Sequence, residues 1–241
     1  MPRFHLSMPL AIGQLVDLPP EVAHHIHVVR LAPGDLLTLF NGDGGQYEAV
    51  LTEVGKKRAT AEVRTFDARE AELPFPVTLA QALPEGTKMD WIIEKAVELG
   101  VAAVQPIAAR RCVVRLSAER AEKKLEHWRG VAVAAAEQSG RNQLTAIAEP
   151  MNLRDWLAAP AEGTRLLLSP RAEASLAVWA RDNAAHPVTL LIGPEGGLTE
   201  EEEDEARRAG AVAVSMGPRI LRTETAALAV VAVLAAQWGG M

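Results

Sequence analysis

Between residues 36 and 66, apolar and polar positions alternate in three short runs: LLTLFN, QYEAVLTEV and RATAEVRTF. The turns Gly42-Asp43-Gly44-Gly45 and Gly55-Lys56-Lys57 separate them. Period-two alternation broken by glycine-rich turns predicts an antiparallel meander. Helical periodicity is weak before residue 70, so residues 1–70 read as a small β-barrel domain. The run His24-His25-Ile26-His27 reads as a strand with His25 and His27 on one face. The charged, proline-flanked stretch 67–76 reads as a linker.

After Pro76 the period changes. Apolar runs at VTLAQAL, VAAVQPIA, TRLLLS and VTLLIG are separated by helical patterns over 90–99, near 118–138 and near 176–183. Strands alternating with helices predict an α/β domain over 74–241 with a mainly parallel sheet covered on both faces. Thr199 and Glu202 form a capping-box signature, the acidic run 200–205 complements a helix amino terminus, and Gly210 supplies the stop. That run therefore reads as helix stabilisation, not as a metal site. A last helix over 223–237 is apolar on nearly every side and is expected to be buried, in the core or in a dimer interface.

Bulk composition narrows the class. A chain of 241 residues, 49% hydrophobic, can bury a sizeable core. Its longest apolar run, 226–236, falls short of the roughly 18 residues that span a bilayer, so no membrane partner is expected. No export signal is legible, and the single Cys112 excludes an intramolecular disulfide framework, so the cytoplasm is the expected compartment. The net charge of −6 argues against a polyanionic partner, but residues 110–141 carry eight basic against four acidic side chains. That stripe is either a phosphate-binding surface or a solvated helix with Glu/Lys pairs.

The candidate chemistry lies in 190–230. Two loops, Gly193-Pro194-Glu195-Gly196-Gly197 and Ser215-Met216-Gly217-Pro218-Arg219-Ile220-Leu221-Arg222, each follow an apolar strand and precede a helix. Glycine lets backbone groups approach a small molecule closely. The spacing is that of neither G-x-G-x-x-G nor a P-loop, and Glu195 would repel a phosphate, so a cationic or zwitterionic ligand is indicated.

IGPEGG together with RILRTETAAL resembles the carboxy-terminal signature of the SPOUT methyltransferases, which bind S-adenosylmethionine in a trefoil knot. MPRFHL, HHIHVVRL before Pro33-Gly34-Asp35, KMDWIIEKAVELG over 88–100 and AEQSGR over 136–141 resemble one branch, the RsmE family. Over nearly the whole chain, this resemblance implies a PUA-like RNA-binding barrel at 1–70 and a knotted SPOUT domain at 74–241. It also implies a homodimer and methylation of N3 of one uridine in 16S ribosomal RNA, within the 30S subunit. The alternatives are another SPOUT activity (ribose 2′-O or transfer-RNA guanine-N1 methylation) and a non-catalytic ribosome-assembly factor.

By the same resemblance, the cofactor pocket comprises Leu168, Gly193, Pro194, Glu195, Gly196, Gly197, Met216, Gly217, Ile220, Leu221, Arg222, Thr223 and Ala226, with Glu195 suited to the ribose or amino group. N3 of uracil must lose a proton, and the negative charge spreads onto two carbonyl oxygens. Arg222 is the candidate donor to those oxygens, although an ion pair with Glu224 around a Thr223 cap is an equally simple reading. Glu224 and Glu137 are both candidate bases. Gln138 suits a uracil edge and Arg141 a phosphate. Arg30, Lys95, Arg110, Arg111, Arg115, Lys123 and Lys124 complete the expected RNA contacts, with Lys95 also placed to cover apolar helix surface. His24, His25 and His27 lack supporting ligands at suitable spacing, so no metal is expected.

Overall fold

The structure is a computed structural model that describes residues 1–114 and 117–241. It divides into two compact units: 1–71 with 136–144, and 72–135 with 145–241.

The first unit contains β1 (Arg3–His5), β2 (Leu15–Asp17), α1 (Pro20–Val28), β3 (Leu36–Phe40), β4 (Gln46–Val54) and β5 (Ala59–Asp67). The meander read from the alternation is present as β3-β4-β5, antiparallel throughout. β1 adds in parallel beside β3 and β2 in antiparallel beside β5, which gives the order β1-β3-β4-β5-β2. Phe4, Leu6, Val16, Leu37, Leu39, Leu51 and Val63 meet in its core. The strand reading of the histidines is overturned, because 20–28 is a helix. Pro20 sits in its first turn beside Glu21, and Val22, Ala23 and Ile26 turn inward at helical spacing. His24, His25 and His27 remain on its exposed side, and the His25 ring meets Phe4 edge-on at 5.3 Å.

The second unit runs β6 (Val77–Ala82), α2 (Lys88–Glu98), β7 (Ala103–Ala108), α3 (Ala118–Ser139, its last turn grouping with the first unit), β8 (Ala146–Ile147), β9 (Met151–Asn152) and α4 (Leu153–Ala158). It continues with β10 (Thr164–Leu168), α5 (Leu176–Asp182), β11 (Val188–Ile192), α6 (Glu200–Arg208), β12 (Val212–Val214) and α7 (Thr223–Trp238). All pairings are parallel, in the order β12-β10-β11-β6-β7-β8, with β9 also on β7. One face packs Ala80, Ile107, Leu167 and Leu191 against Trp156, Leu157 and Ala206 of α4 and α6. α7 packs against α2, α5, β6 and β11.

Two helix ends behave as their residues dictate. The Thr199 hydroxyl accepts from the Glu202 amide while the Glu202 carboxylate accepts from the Thr199 amide, a complete capping box. α7 stops at Gly239, whose φ of 81° is left-handed. The expectation that α7 is buried all round is only half met. Ala226, Ala227, Val230, Val231, Leu234 and Ala235 are buried, whereas Leu228, Ala229, Ala232 and Val233 are half-exposed.

Candidate active site

In the parallel sheet, β12, β10 and β11 are consecutive neighbours, so the loops at their carboxyl ends converge. Ligands in open α/β sheets bind at such ends. A cavity of about 500 Å³ lies there. All thirteen residues expected for the cofactor line it, from Leu168 through the Gly193–Gly197 loop to Ala226. So do Lys88, Arg111, Ser169, Pro170, Arg171, Glu203 and Arg219, which sequence reasoning did not place there.

Backbone geometry explains the glycines. A Cβ on Gly193 would lie 2.9 Å from the Leu198 amide nitrogen, so only glycine permits this close turn. Gly197 (φ 66°) and Gly217 (φ 89°) occupy left-handed conformations that other residues rarely adopt. Gly196 instead faces the aliphatic stem of Arg111, 3.4 Å from its ideal Cβ.

Charged side chains pin the loops to their surroundings. Glu195 pairs with Lys88 and accepts from the Glu85 amide at 3.0 Å, tying the GPEGG loop to the start of α2. Burial pushes the Glu195 carboxyl up, but the hydrogen bonds from Lys88, its own amide and the Glu85 amide outweigh this and hold it below the usual carboxylate range. The same hydrogen bond, aided by the fields of Glu195, Glu224 and Glu85, pushes the Lys88 ammonium up despite desolvation. Glu195 thus acts first as a loop brace, a role its position in the motif did not disclose. Arg111 donates to the Gly196 carbonyl at 2.8 Å, so the guanidinium expected on RNA is committed to this loop. Across the cavity, buried Glu203 accepts from Ser169 Oγ (3.0 and 3.1 Å), Arg171 (2.6 Å) and Arg207 (3.0 Å).

Arg222 is the N-cap of α7, with its side chain exposed at the cavity. No Arg222–Glu224 ion pair occurs among the described residues, and Thr223 does not cap the helix; its hydroxyl donates to the Gly193 carbonyl at 2.6 Å. Glu224 lines the cavity with Oε2 buried and without a hydrogen-bond partner among the described residues.

The second base candidate has a different occupation. Glu137 groups with the first unit, where Oε1 accepts from the His5 amide at 2.9 Å, and it does not line the cavity. Arg141 is 2% exposed, so the expected phosphate contact is withdrawn: a guanidinium at that depth does not present to a polyanion. Lys95 pairs with Glu94 and Glu98 on its own helix. Lys123 pairs with Glu119 and Arg110 with Glu201, both substantially exposed, while Lys124 is half-exposed and Gln138 and Arg30 are exposed. Arg30 carries a left-handed φ of 60°. Arg115 lies outside the described residues.

Residues 71–235 match the family model described as an RNA methyltransferase domain, and 18–64 match an RNA methyltransferase PUA domain. A ribosomal RNA small subunit methyltransferase E from Bacillus subtilis is 35% identical, over 86% of this chain and 84% of its own length. The crystal structure of a ribosomal RNA small subunit methyltransferase E from Neisseria gonorrhoeae bound to S-adenosyl methionine superposes with a TM-score of 0.92 at 40% identity, covering 99% of this chain and 98% of that one. A Legionella pneumophila protein solved with bound cofactor SAM gives 0.91 at 36%, covering 97% and 96%. An α/β unit that matches an RNA methyltransferase model, with two glycine-bearing loops converging on one cavity, and a preceding unit that matches a PUA model, place the chain in the ribosomal RNA small subunit methyltransferase E family of RNA methyltransferases.

Proposed function

We propose that this chain uses S-adenosylmethionine to methylate N3 of one uridine in 16S ribosomal RNA. The observation that carries the reading is the cavity of about 500 Å³, in which all thirteen residues expected for the cofactor meet. That volume suits a ligand of this size, and glycine at 193 allows the tight turn of the loop that forms its wall, where a Cβ would run into the loop's own backbone.

Bound S-adenosylmethionine supplies a methyl group already activated as a sulfonium. The protein must therefore align the uracil, exclude water and manage one proton. Glu224 takes the N3 proton on Oε2, the buried carboxylate oxygen that has no hydrogen-bond partner among the described residues. Arg222, exposed at the cavity, meets the charge that develops on the uracil carbonyls. Glu137, occupied by the His5 amide, serves as structure instead.

Two further expectations belong with this reading. The half-exposed apolar face of α7, with Ile220 80% exposed beside the cavity, supports a homodimer in solution. A substrate within the 30S subunit, in the cytoplasm, is supported by the similarity to relatives named as ribosomal RNA small subunit methyltransferases.

The test is methyl transfer to small-subunit RNA from cells that lack this enzyme, followed by nucleoside mass spectrometry. 3-Methyluridine is the expected product. Its absence, with 2′-O-methylated ribose or 1-methylguanosine instead, refutes the assignment. Glu224→Gln should slow single turnover at neutral pH and recover partly as pH rises and the imide proton dissociates unaided; a wild-type rate at every pH removes Glu224 as the base.

A further inference from the structure

Gln81, at the end of β6, takes no part in the expected site and does not line the cavity. It is nevertheless fully buried at 0% exposure, and its Oε1 has no hydrogen-bond partner among the described residues. A buried acceptor left unmade is costly, about 1–3 kcal/mol. An apolar residue would avoid that cost, so the other end of the amide must contribute something an apolar residue lacks.

The hydrogen bonds at that end have only one possible direction. Gln81 Nε2 lies 2.8 Å from the Ala82 carbonyl and 2.9 Å from Thr223 Oγ1, and Thr223 Oγ1 lies 2.6 Å from the Gly193 carbonyl. Both terminal groups are carbonyls, which only accept. The Thr223 hydroxyl has one hydrogen, which goes to Gly193, so its oxygen must accept from Gln81. The Ala82 carbonyl likewise fixes the nitrogen side of the amide. A single ordered relay therefore runs from β6 through the first residue of α7 to the first residue of the GPEGG loop. The register places it well, since Gln81 pairs with Ile192, the residue immediately before Gly193.

We propose that Gln81 is a positioning residue for the cofactor site: its amide holds Thr223, at the head of α7, and through it Gly193, at the start of the GPEGG loop, at the spacing the cofactor requires. The inference rests on the cavity being the S-adenosylmethionine site. Glutamate is the informative replacement, because ionised it faces the Ala82 carbonyl with a second acceptor and can be satisfied by the Thr223 hydroxyl only if that hydrogen leaves the Gly193 carbonyl, whereas protonated it regains one donor.

Cofactor affinity is measured by calorimetry on the full chain, with S-adenosylmethionine and S-adenosylhomocysteine, from about pH 8 down to about pH 5.5. Burial raises the pKa of a carboxyl, so the variant's donor returns as pH falls. Gln81→Glu is expected to weaken both ligands tenfold or more near pH 8, as befits a buried group left unsatisfied, and to approach wild type near the acidic end. Thr223→Val is expected to weaken them to a similar extent. Adding Gln81→Glu to Thr223→Val should cost little more, because both act through one relay. Affinity in Gln81→Glu equal to wild type, a loss that ignores pH, or fully additive losses would each overturn the proposal. If Gln81→Glu does not fold, Thr223→Val decides alone: wild-type affinity in that variant overturns it. If the wild-type protein binds neither ligand, the cofactor reading itself has failed, which is a separate outcome.

Discussion

Glu203 offers a quantitative check on how the cavity wall is held. Its side chain is 4% exposed, yet it carries a charge that two guanidiniums and a hydroxyl share. Removing one member of a buried ion pair typically costs about 3–5 kcal/mol, because it strands the other charge. Here the strandable charges are not buried: Arg171 and Arg207 are 47% and 39% exposed and can turn to water. What cannot be relieved is that the single remaining carbonyl oxygen must serve the buried Ser169 hydroxyl, 1% exposed, and cannot also serve both arginines, so an amide nitrogen newly faces a guanidinium. We therefore expect Glu203→Gln to cost about 2 kcal/mol, within the range for a disrupted buried hydrogen bond, and to lower the melting temperature by roughly 4–8 °C for a protein of this size. Urea unfolding followed by tryptophan fluorescence isolates the effect, since Trp91, Trp128, Trp156, Trp179 and Trp238 all belong to the second unit. Because Ser169 and Arg171 also line the cavity, cofactor affinity should fall as well. Arg207→Gln is the control: Arg207 sits outside the cavity on an exposed helix face, and losing it should cost about 0.5 kcal/mol or less with affinity intact. An unfolding free energy for Glu203→Gln within about 0.5 kcal/mol of wild type, inside the usual range for surface changes, would refute the claim that this carboxylate organises the wall.

Two further outcomes follow from charge. The lowered Glu195 carboxyl makes its pairing with Lys88 stabilising above the ordinary glutamate value of about 4.3 and lost as pH falls through the depressed folded value. The raised Lys88 makes it present below the ordinary lysine value of about 10.4 and lost as pH rises through the raised one. The difference in melting temperature between wild type and Lys88→Met should therefore be largest at mid-range pH and shrink toward both extremes, and a difference constant with pH would contradict the pairing. On α3 and before it, replacing Arg110, Lys123 and Lys124 together should flatten the slope of log RNA affinity against log salt, by at most about 0.9 per lost phosphate contact, without changing cofactor affinity. An unchanged slope would mean that these side chains form the solvated, internally paired surface that the Lys123–Glu119 pair also suggests.

What was legible in the sequence was what is local. The meander β3 to β5 was legible from its apolar runs and the glycine turns between them, although burial along it does not alternate strictly, residues 37–40 all being buried, and β6 and β11 stood out as apolar runs because a central parallel strand is covered on both faces. Glycine and proline marked the cavity loops because the required backbone shapes are written in single residues. α1 was missed although Pro20 and Glu21 form a helix-start signal, because three histidines obscured a face made of only Val22, Ala23 and Ile26. β8, β9 and α4 are too short to show a period. Depth was not legible at all: Arg141 reads as a surface cation in sequence and is buried in the fold. Lys88, Arg171 and Gln81 were missed as site residues for a different reason, since the partner of each is remote in sequence: Glu195 of the GPEGG loop for Lys88, Glu203 of α6 for Arg171 and Thr223 at the start of α7 for Gln81.

The cations of the cavity sort into two groups by what already holds them. Lys88 is bound to Glu195, Arg111 to the Gly196 carbonyl and Arg171 to Glu203, so their charge is largely spent on fixing walls. Arg219 and Arg222 are exposed and form no ion pair among the described residues. A neutralised wall and two uncommitted guanidiniums suit different tasks. Fixed pairs keep the loops apart and rigid, which a small zwitterion needs, because ordering them on binding would subtract from its affinity. Uncommitted arginines can answer charge that arrives with the substrate or appears during the reaction, where a planar fork of donors meets a carbonyl or phosphate oxygen at two points. In the proposed reaction the neighbouring Glu224, whose buried Oε2 has no hydrogen-bond partner among the described residues, would complete the set, since proton removal and stabilisation of the resulting negative charge must occur at the same end of the uracil.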